Sequence, residues 1–250
     1  MSFQNKTVII TGGASGMGKL SAECFAAEGA NVVLADINEA ALIEVCGAIN
    51  EKGRGKAIYS VCDVRKNPEV KATADLAVEA FGSIDILLNF AGGFELRMCN
   101  CDKPFPETPV EVFDWGIDVN LKGPFYFAHA VCPQMVKQHS GVIINLGSVT
   151  GEDGSGSGMA YPTAKAGIMT GLTKSLAQFG FAHNIRAVCV SPGPVLTRPS
   201  MANMKTGQGR AAEVQEVVDF IMYLCSDKAR AITGSNHFID CGRCALPHGC

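Results

Sequence analysis

The stretch TGGASGMG, residues 11–18, decides the fold. It follows the apolar run TVII directly and opens a segment with helical periodicity. Gly12, Gly16 and Gly18 stand in a G-x-x-x-G-x-G spacing, which allows a tight turn and a close approach of backbone N–H groups to a pyrophosphate. The stretch therefore predicts a strand, a phosphate-binding turn and a helix, as a variant of the usual dinucleotide-binding pattern.

Apolar runs recur along the chain, separated by segments with helical periodicity. Several runs, such as ILLNF and VIINL, are almost continuously apolar, which is typical of strands covered by helices on both faces. Such alternation predicts a mainly parallel sheet with right-handed crossovers. The predicted strands are 7–11, 31–35, 57–61, 85–90, 142–146, 186–191 and 237–239. The predicted helices are 16–29, 38–52, 68–81, 109–138, 158–180 and 211–226.

No linker, low-complexity tract or internal repeat interrupts this pattern. We therefore expect all 250 residues to form one α/β domain. The predicted architecture is a Rossmann-type, doubly wound domain with a seven-stranded, mainly parallel sheet and helices on both faces.

Composition narrows the class of protein. The chain is 47% hydrophobic and 18% charged, which favours a large core over disorder. A formal net charge of -3 and a pI near 6.0 give no basic surface for nucleic acid. No apolar run approaches the roughly 18 residues of a membrane span, and no signal-peptide pattern is visible. We expect a cytoplasmic protein.

The residues after the second and third predicted strands bear on the cofactor. Asp36 stands where a carboxylate can accept hydrogen bonds from the adenosine ribose and would repel a 2′-phosphate. Ser15 and Ile37 occupy positions where Arg or Lys would clamp that phosphate, so the sequence favours NAD over NADP. The alternative is that Asp36 is a solvated loop acid or a helix cap. Asp63 is a weaker candidate for the adenine amino group.

The motif YPTAK places Tyr161 and Lys165 four residues apart, on one face of a helix. Pro162 disfavours helical geometry at Tyr161 but suits a first turn, so the helix is predicted to begin around Tyr161. A free tyrosine has a pKa of about 10, and a cation within about 4–6 Å typically lowers such a pKa by 1–3 units. Lys165 is the predicted cation.

Seven features together resemble the single-domain short-chain dehydrogenases/reductases over essentially the whole chain. In order they are TGGASGMG, Asp63, NFAG at 89–92, Asn120, Ser148, YPTAK and SPGPVLT at 191–197. The resemblance implies that Tyr161 is the general acid/base for an alcohol or ketone and that Lys165 also binds the nicotinamide ribose. It implies that Ser148 donates to the substrate oxygen and that Asn120 holds a water in a proton relay.

The resemblance also implies an NAD-binding set that runs along the chain. Its members are Gly12, Ser15, Gly16, Met17, Gly18, Asp36, Ile37, Asp63, Val64, Asn89, Ala91, Gly92, Tyr161, Lys165, Pro192, Gly193, Val195 and Thr197.

Pro124 supports the role of Asn120 from the residues themselves. Four residues after Asn120 in a helix, it has no N–H to donate to the Asn120 carbonyl. That carbonyl is therefore predicted to be available to a water at a kink, unless the kink serves only packing.

Two departures from the family pattern carry structural expectations. Phe90 replaces the second Asn of NNAG, and it either loosens the support of the central strand or simply packs. The segment 198–210 is shorter than the helical lid of relatives. We expect a more open pocket, or one closed by a neighbouring subunit or by the tail, with a lining drawn from 94–100, 151–159 and 195–204.

The tail 241–250 is rich in cysteine. Cys241, Cys244, His248 and Cys250 are possible zinc ligands that begin with a CxxC, although their spacing is tighter than in usual zinc modules. A redox dithiol is a second alternative, and a reduced tail packed at a subunit contact is favoured, with no metal. Eleven cysteines, an odd number, argue against a disulfide framework.

These observations predict an NAD-dependent oxidoreductase that acts on a small-molecule secondary alcohol or ketone. The alternatives are a catalytically silent protein that senses NAD, and a thiol or metal protein that uses the tail. The resemblance further implies a homotetramer, with the helices at 109–138 and 158–180 forming one interface.

Overall fold

The computed structural model describes residues 2–246, and the strands in that range lie within one residue of the predicted ones. All seven pair in parallel, in the order β3-β2-β1-β4-β5-β6-β7. The predicted fold class is therefore confirmed. The strands are β1 Thr7–Thr11, β2 Asn31–Asp36, β3 Ala57–Val61, β4 Ile86–Asn89, β5 Gly141–Leu146, β6 Ile185–Pro192 and β7 Asn236–Ile239.

The helices between the strands agree with the predicted ones to within three residues, and two short helices were not predicted. The α-helices are α1 Gly16–Ala27, α2 Glu39–Lys52, α3 Asn67–Phe81, the unpredicted α4 Glu95–Met98, α5 Val110–Ile117, α6 Gly123–Gln138, the unpredicted α7 Thr150–Asp153, α8 Ala160–Ala166, α9 Thr173–Gly180 and α10 Val214–Cys225. Within residues 2–246, no helix is both long and apolar enough to cross a membrane.

Two long helices are each interrupted in the middle by a π-helical stretch. A π-helical stretch at Asp118–Lys122 joins α5 to α6, and a second one at Gly167–Leu172 joins α8 to α9. The predicted helices at 109–138 and 158–180 are thus each an α-helix interrupted by a π-helical stretch. Such stretches are rare and recur at functional sites.

The core consists of two layers, one on each face of the sheet. Ile10 of β1 packs in the layer that contains Phe25 of α1, together with residues of α2 and α10. The next strand residue, Ile9, packs on the opposite face with Phe127 of α6 and with residues of α3 and α9. Because strand side chains alternate between faces, both layers need apolar residues at successive positions, which explains the continuously apolar runs.

The strand order sets the position of the crevice. β1 lies between β2 and β4, so the chain crosses to one side after β1 and to the other side after β3. In open parallel sheets, ligands bind at the carboxyl ends of the strands where the order reverses in this way. Every site residue predicted from the sequence lies at or beyond the C-terminal end of a strand, or on the helices that follow.

Candidate active site

The glycine-rich turn has the geometry that its sequence predicts. Gly12 and Gly16 have positive φ angles of 67° and 52°, which side-chain-bearing residues rarely adopt. A Cβ on Gly18 would overlap the carbonyl oxygen of Gly12. The Ser15 side chain does not cap α1, and the first turn holds no acidic residue, so its N–H groups are available to an anion. The turn therefore fits the pyrophosphate of a dinucleotide.

Asp36 lies beside this turn. Its carboxylate accepts hydrogen bonds from the N–H groups of Ala14, at 3.2 Å, and Asn38, at 3.1 Å. On the other side, the Thr197 methyl group lies 3.8 Å from the position of a Cβ on Gly16. Residues predicted from three distant segments thus meet around one turn.

Asp63 is already engaged by a cation. Arg65 donates to both of its carboxylate oxygens, at 2.6 to 3.1 Å, and this pairing holds the Asp63 pKa below its usual value. The neighbouring Val64 packs towards Gly123, at the start of α6. An adenine amino group would therefore have to share Asp63 with Arg65.

The end of β4 is supported from both neighbouring strands. The Thr11 hydroxyl accepts from the N–H groups of Phe90 and Ala91, both at 2.9 Å. Asn89 donates to the Asn145 side chain of β5 at 2.9 Å and is fully enclosed. Phe90 is buried in the core layer on the α1 side, so of the two expectations for it, packing is confirmed.

Asn120 fixes the loop after β4 through its side chain. Its Oδ1 accepts from Gly93 N at 2.9 Å, and its Nδ2 donates to the carbonyls of Gly93, at 2.9 Å, and Gly116, at 2.8 Å. The irregularity predicted at Pro124 takes the form of the π-helical stretch Asp118–Lys122, in which Asn120 lies. The Asn120 side chain is thus committed to the protein, and any water would have to bind its main-chain carbonyl.

Tyr161 lies in the first turn of α8, which begins at Ala160, as Pro162 predicts. Its hydroxyl lies near Ser148, which follows β5 and lowers the Tyr161 pKa by hydrogen bonding. The Ser148 hydroxyl also donates to Thr150 Oγ1 at 3.1 Å and accepts from Thr150 N at 3.2 Å. The ring of Phe94 packs edge-on against the Tyr161 ring, with 6.2 Å between centroids. Two predicted catalytic residues thus lie next to each other.

Lys165 reaches the same place from one turn further along α8. Its ammonium lies 5.4 Å from the centroid of the Tyr161 ring and donates to the Leu146 carbonyl at 2.6 Å. A Cβ on Gly92 would lie 2.6 Å from Asn120 Oδ1 and 3.6 Å from Lys165 Nζ. The structure therefore brings together all four predicted catalytic residues, which come from three segments.

The pKa of Tyr161 differs from the sequence-based expectation. Burial raises the pKa of Tyr161, because it disfavours the phenolate, while the Ser148 hydrogen bond and the charges of Arg198 and Arg97 oppose this rise. Burial also lowers the pKa of Lys165 to about 8, since its side chain is only 3% exposed. The Tyr161 pKa is thus raised rather than lowered, because desolvation outweighs the nearby arginine charges, and the predicted effect of Lys165 on this pKa stays a prediction.

Sequence reasoning missed Glu95. Its side chain is 2% exposed, and its two carboxylate oxygens accept from Ala160 N at 2.9 Å and Tyr161 N at 3.1 Å. The carboxylate thus binds the N-terminus of the helix that carries Tyr161. An acid in the segment FELRM reads as a surface residue, and no local signal links it to a helix that begins 65 residues later.

The C-terminal segment contacts the short segment 198–210. Gln208 N donates to the Cys241 carbonyl at 2.9 Å, and Arg243 donates to the Lys205 carbonyl at 3.1 Å and to Asp153 at 3.3 Å. The first residues of the tail thus pack against this segment, and the covering of the pocket stays a prediction.

The cysteine-rich tail is only partly described. His248 and Cys250 lie outside the described residues, and within residues 2–246 no group of three or more potential metal ligands occurs. The ten cysteines in that range are free thiols, several of them in the core.

Comparison with known proteins identifies the family. Residues 6–208 match the short chain dehydrogenase family. The chain therefore belongs to the short-chain dehydrogenases/reductases, a family of oxidoreductases.

Individual relatives match along nearly their whole length. The chain is 38% identical to the trans-4-hydroxycyclohexanecarboxylate dehydrogenase of Sinomonas cyclohexanicum, over 96% of this chain and 93% of the relative. It is 34% identical to the cyclohexanol dehydrogenase of Acinetobacter sp. (95% and 94% covered) and to a 3-oxoacyl-[acyl-carrier-protein] reductase of Thermotoga maritima (97% and 99%).

Proposed function

We propose that this protein is an NAD-dependent dehydrogenase or reductase that interconverts a secondary alcohol and a ketone, with the whole chain acting as one catalytic domain. The observation that carries the proposal is the Tyr161 phenol, next to Ser148 and with the buried Lys165 ammonium 5.4 Å from its ring centroid, in the crevice of the sheet. Two of the relatives are named as dehydrogenases of ring alcohols, which favours that class over a carrier-bound 3-oxoacyl group.

The cofactor would be held at two places. The Gly12–Gly18 turn and the open N-terminus of α1 would bind the pyrophosphate, and Asp36 would bind the adenosine ribose. Val195, Thr197 and the loop around Gly92 would face the nicotinamide end. When bound, the nicotinamide gives or takes the hydride.

The chain's own residues manage the proton. The raised pKa of Tyr161 keeps its phenol protonated at neutral pH, so it can give a proton to a ketone oxygen. Ser148, next to Tyr161, would donate to the same oxygen by turning its hydroxyl proton away from Thr150, and would stabilise the charge that develops there. Lys165 supplies a proton or a positive charge next to the phenol, and its pKa of about 8 lies close to the working range. A water on the Asn120 carbonyl would extend this relay.

The substitution Tyr161→Phe tests the proposal against an NAD-sensing protein without catalysis. Removing the phenol should lower the turnover of NADH with cyclohexanone by about 10²–10⁴-fold, the usual contribution of a general acid. NADH binding, followed by fluorescence titration, should stay unchanged. Tyr59→Phe, on the edge strand β3 away from the site, is the matched control and should keep full activity. Retained turnover in Tyr161→Phe would refute the catalytic assignment.

We also propose a homotetramer assembled through the long helices. Phe113, Phe125, Phe179 and Phe181 lie on or next to these helices and remain exposed to solvent. Exposed aromatic side chains that cluster on particular elements are typical of subunit contacts. Sedimentation equilibrium should give four chains per particle, and Phe125→Glu with Phe179→Glu should reduce that number. A wild-type monomer would refute this proposal and leave the enzymatic one intact.

A further inference from the structure

Two arginines near Tyr161 have no acidic partner. Arg97 lies in α4, and Arg198 follows Thr197 beyond β6. Within residues 2–246, neither forms an ion pair with an Asp or Glu, whereas Arg65, Arg210 and Arg243 all do. The one hydrogen-bond contact of the Arg198 guanidinium there is with the Met201 sulfur at 3.9 Å. Most guanidinium donors of this pair are thus available to a ligand.

Both arginines are placed at the reacting end of the crevice. Arg97 Nη2 lies 3.5 Å from the position that a Cβ on Gly93 would take, and Gly93 is the residue held on both sides by Asn120. Phe94, next in the chain, packs on the Tyr161 ring. The charges of Arg97 and Arg198 act on each other and on the Tyr161 phenol. Two segments therefore bring a pair of positive charges to the group that meets the substrate.

Within residues 2–246, the acid at this place is committed to backbone N–H groups and forms no ion pair with either arginine. Glu95 is the acid that acts on Tyr161, and its carboxylate is buried and bound to the N–H groups of Ala160 and Tyr161. The Arg198 charge repels that of Arg97, and partial burial of Arg97 adds a desolvation cost. A planar carboxylate can accept two parallel hydrogen bonds from a guanidinium and relieves both costs.

We propose that Arg97 and Arg198 bind a carboxylate on the substrate, so that the enzyme acts on hydroxy acids and the corresponding keto acids. This inference rests on the proposed function, because it places the carboxylate on the molecule whose oxygen meets Tyr161. A phosphate of the dinucleotide is the other source of an anion. The substrate is favoured because Arg97 lies against Gly93, next to the Phe94 ring that packs on Tyr161 at the reacting end, whereas the pyrophosphate belongs at the Gly12–Gly18 turn.

The test compares two ketones that differ only in charge, 4-oxocyclohexanecarboxylate and its neutral carboxamide. The wild-type enzyme should reduce the acid with a kcat/KM at least about tenfold higher than that of the amide, as expected for a charge-assisted hydrogen bond. Arg97→Gln and Arg198→Gln should each lower kcat/KM for the acid about tenfold and leave the amide unchanged. Arg54→Gln is the control, because Arg54 lies before β3 at the opposite edge of the sheet and should alter neither.

Two binding measurements separate the possible failures. Cyclohexanecarboxylate, which has no reacting oxygen, should bind wild-type enzyme in calorimetry and bind either arginine variant about tenfold more weakly. If it binds in this way but neither ketone is turned over, the carboxylate site stands and the proposed reaction fails. If both ketones are reduced equally well, the reaction stands and the carboxylate site is refuted. A raised NADH dissociation constant in the arginine variants, with no change in acid preference, would assign the pair to the cofactor and overturn the inference.

Discussion

The Gly12–Gly18 turn and the cluster around Tyr161 lie at the same edge of the sheet, but they are built in different ways. The turn is mainly a local structure: its positive φ angles and the close approach of Gly18 to the Gly12 carbonyl involve residues within seven positions of each other, although Gly12 also lies against Phe90 and Ala91. The Tyr161 cluster is assembled from four segments, and its Glu95, Asn120 and Ser148 contacts all span long distances in sequence. The difference shows that steric requirements can be read from neighbouring residues, whereas burial, and with it the pKa of a buried group, depends on the whole fold.

Gly18→Ala should produce the largest effect, because it disrupts the Gly12–Gly18 turn. A Cβ on Gly18 would overlap the Gly12 carbonyl oxygen, so the turn must move. We expect a loss of roughly 3 kcal/mol in the free energy of unfolding, at the upper end of overpacking costs, and weaker NADH binding. Gly171→Ala is the matched control, since a Cβ there meets nothing within 4 Å, and it should be neutral or slightly stabilising. Urea unfolding measures both, and equal effects would contradict the steric argument.

Lys165 tests the cluster around Tyr161, because its burial should make the stability of the protein depend on pH. Burial lowers its pKa to about 8, whereas the unfolded chain keeps a value of about 10.4. Between these values the unfolded chain holds a proton that the folded protein lacks, so this group makes stability rise with pH, by on the order of 3 kcal/mol over the full window.

The measurement is the difference in unfolding free energy between wild type and Lys165→Met. The difference should grow in favour of wild type from about pH 8 to about pH 10. Buried Cys46 and Cys62 act oppositely, because their raised pKa values make stability fall with pH, but they cancel in the difference, since neither interacts with Lys165. Lys174→Met, at an exposed position of α9, should give a flat difference. A flat result for Lys165→Met would mean that the amine is not desolvated.

Glu95→Gln tests whether a residue distant in sequence positions the Tyr161 helix. The amide keeps one acceptor, so one of the N–H groups of Ala160 and Tyr161 loses its partner, at a cost of about 1–3 kcal/mol in stability. Because the Glu95 charge raises the Tyr161 pKa, its removal should shift the alkaline limb of the pH–rate profile to lower pH. Glu111→Gln, exposed at the start of α5, should change neither property. If Glu95→Gln lowers the stability but leaves the pH–rate profile unchanged, Glu95 has a structural role only.

Asp36→Ala should give the smallest effect. It tests the region of the Gly12–Gly18 turn, beside which Asp36 lies. Removing the carboxylate should narrow any preference for NAD over NADP by about tenfold, since about 1 kcal/mol of hydrogen bonding to the ribose and the repulsion of a 2′-phosphate are lost. The ratio of kcat/KM values for the two cofactors measures this. Asp75→Ala, exposed on α3, should leave the ratio unchanged. An unchanged ratio in Asp36→Ala as well would contradict the cofactor assignment.

The sequence predicted the fold almost completely, for a physical reason. Strands buried on both faces need continuous apolar runs, and the helices between them need apolar residues at helical spacing, so both leave clear periodicities. It predicted less where the chain is irregular: α4, which carries Glu95 and Arg97, has four residues and no periodicity to detect. The π-helical stretch at Asn120 was likewise visible only through Pro124, as an expected kink.

The sequence by itself determined the strands and helices and the glycine-rich turn. It also determined the identities of Asn120, Ser148, Tyr161 and Lys165. What only the tertiary structure decided is their environment: the contact of Glu95 with the Tyr161 helix, the unpaired Arg97 and Arg198, and the opposite pKa shifts of Tyr161 and Lys165. Hydrogen-bonding capacity belongs to a residue type, but desolvation and the charges within reach belong to a place in the folded chain, and residues far apart in sequence create that place together.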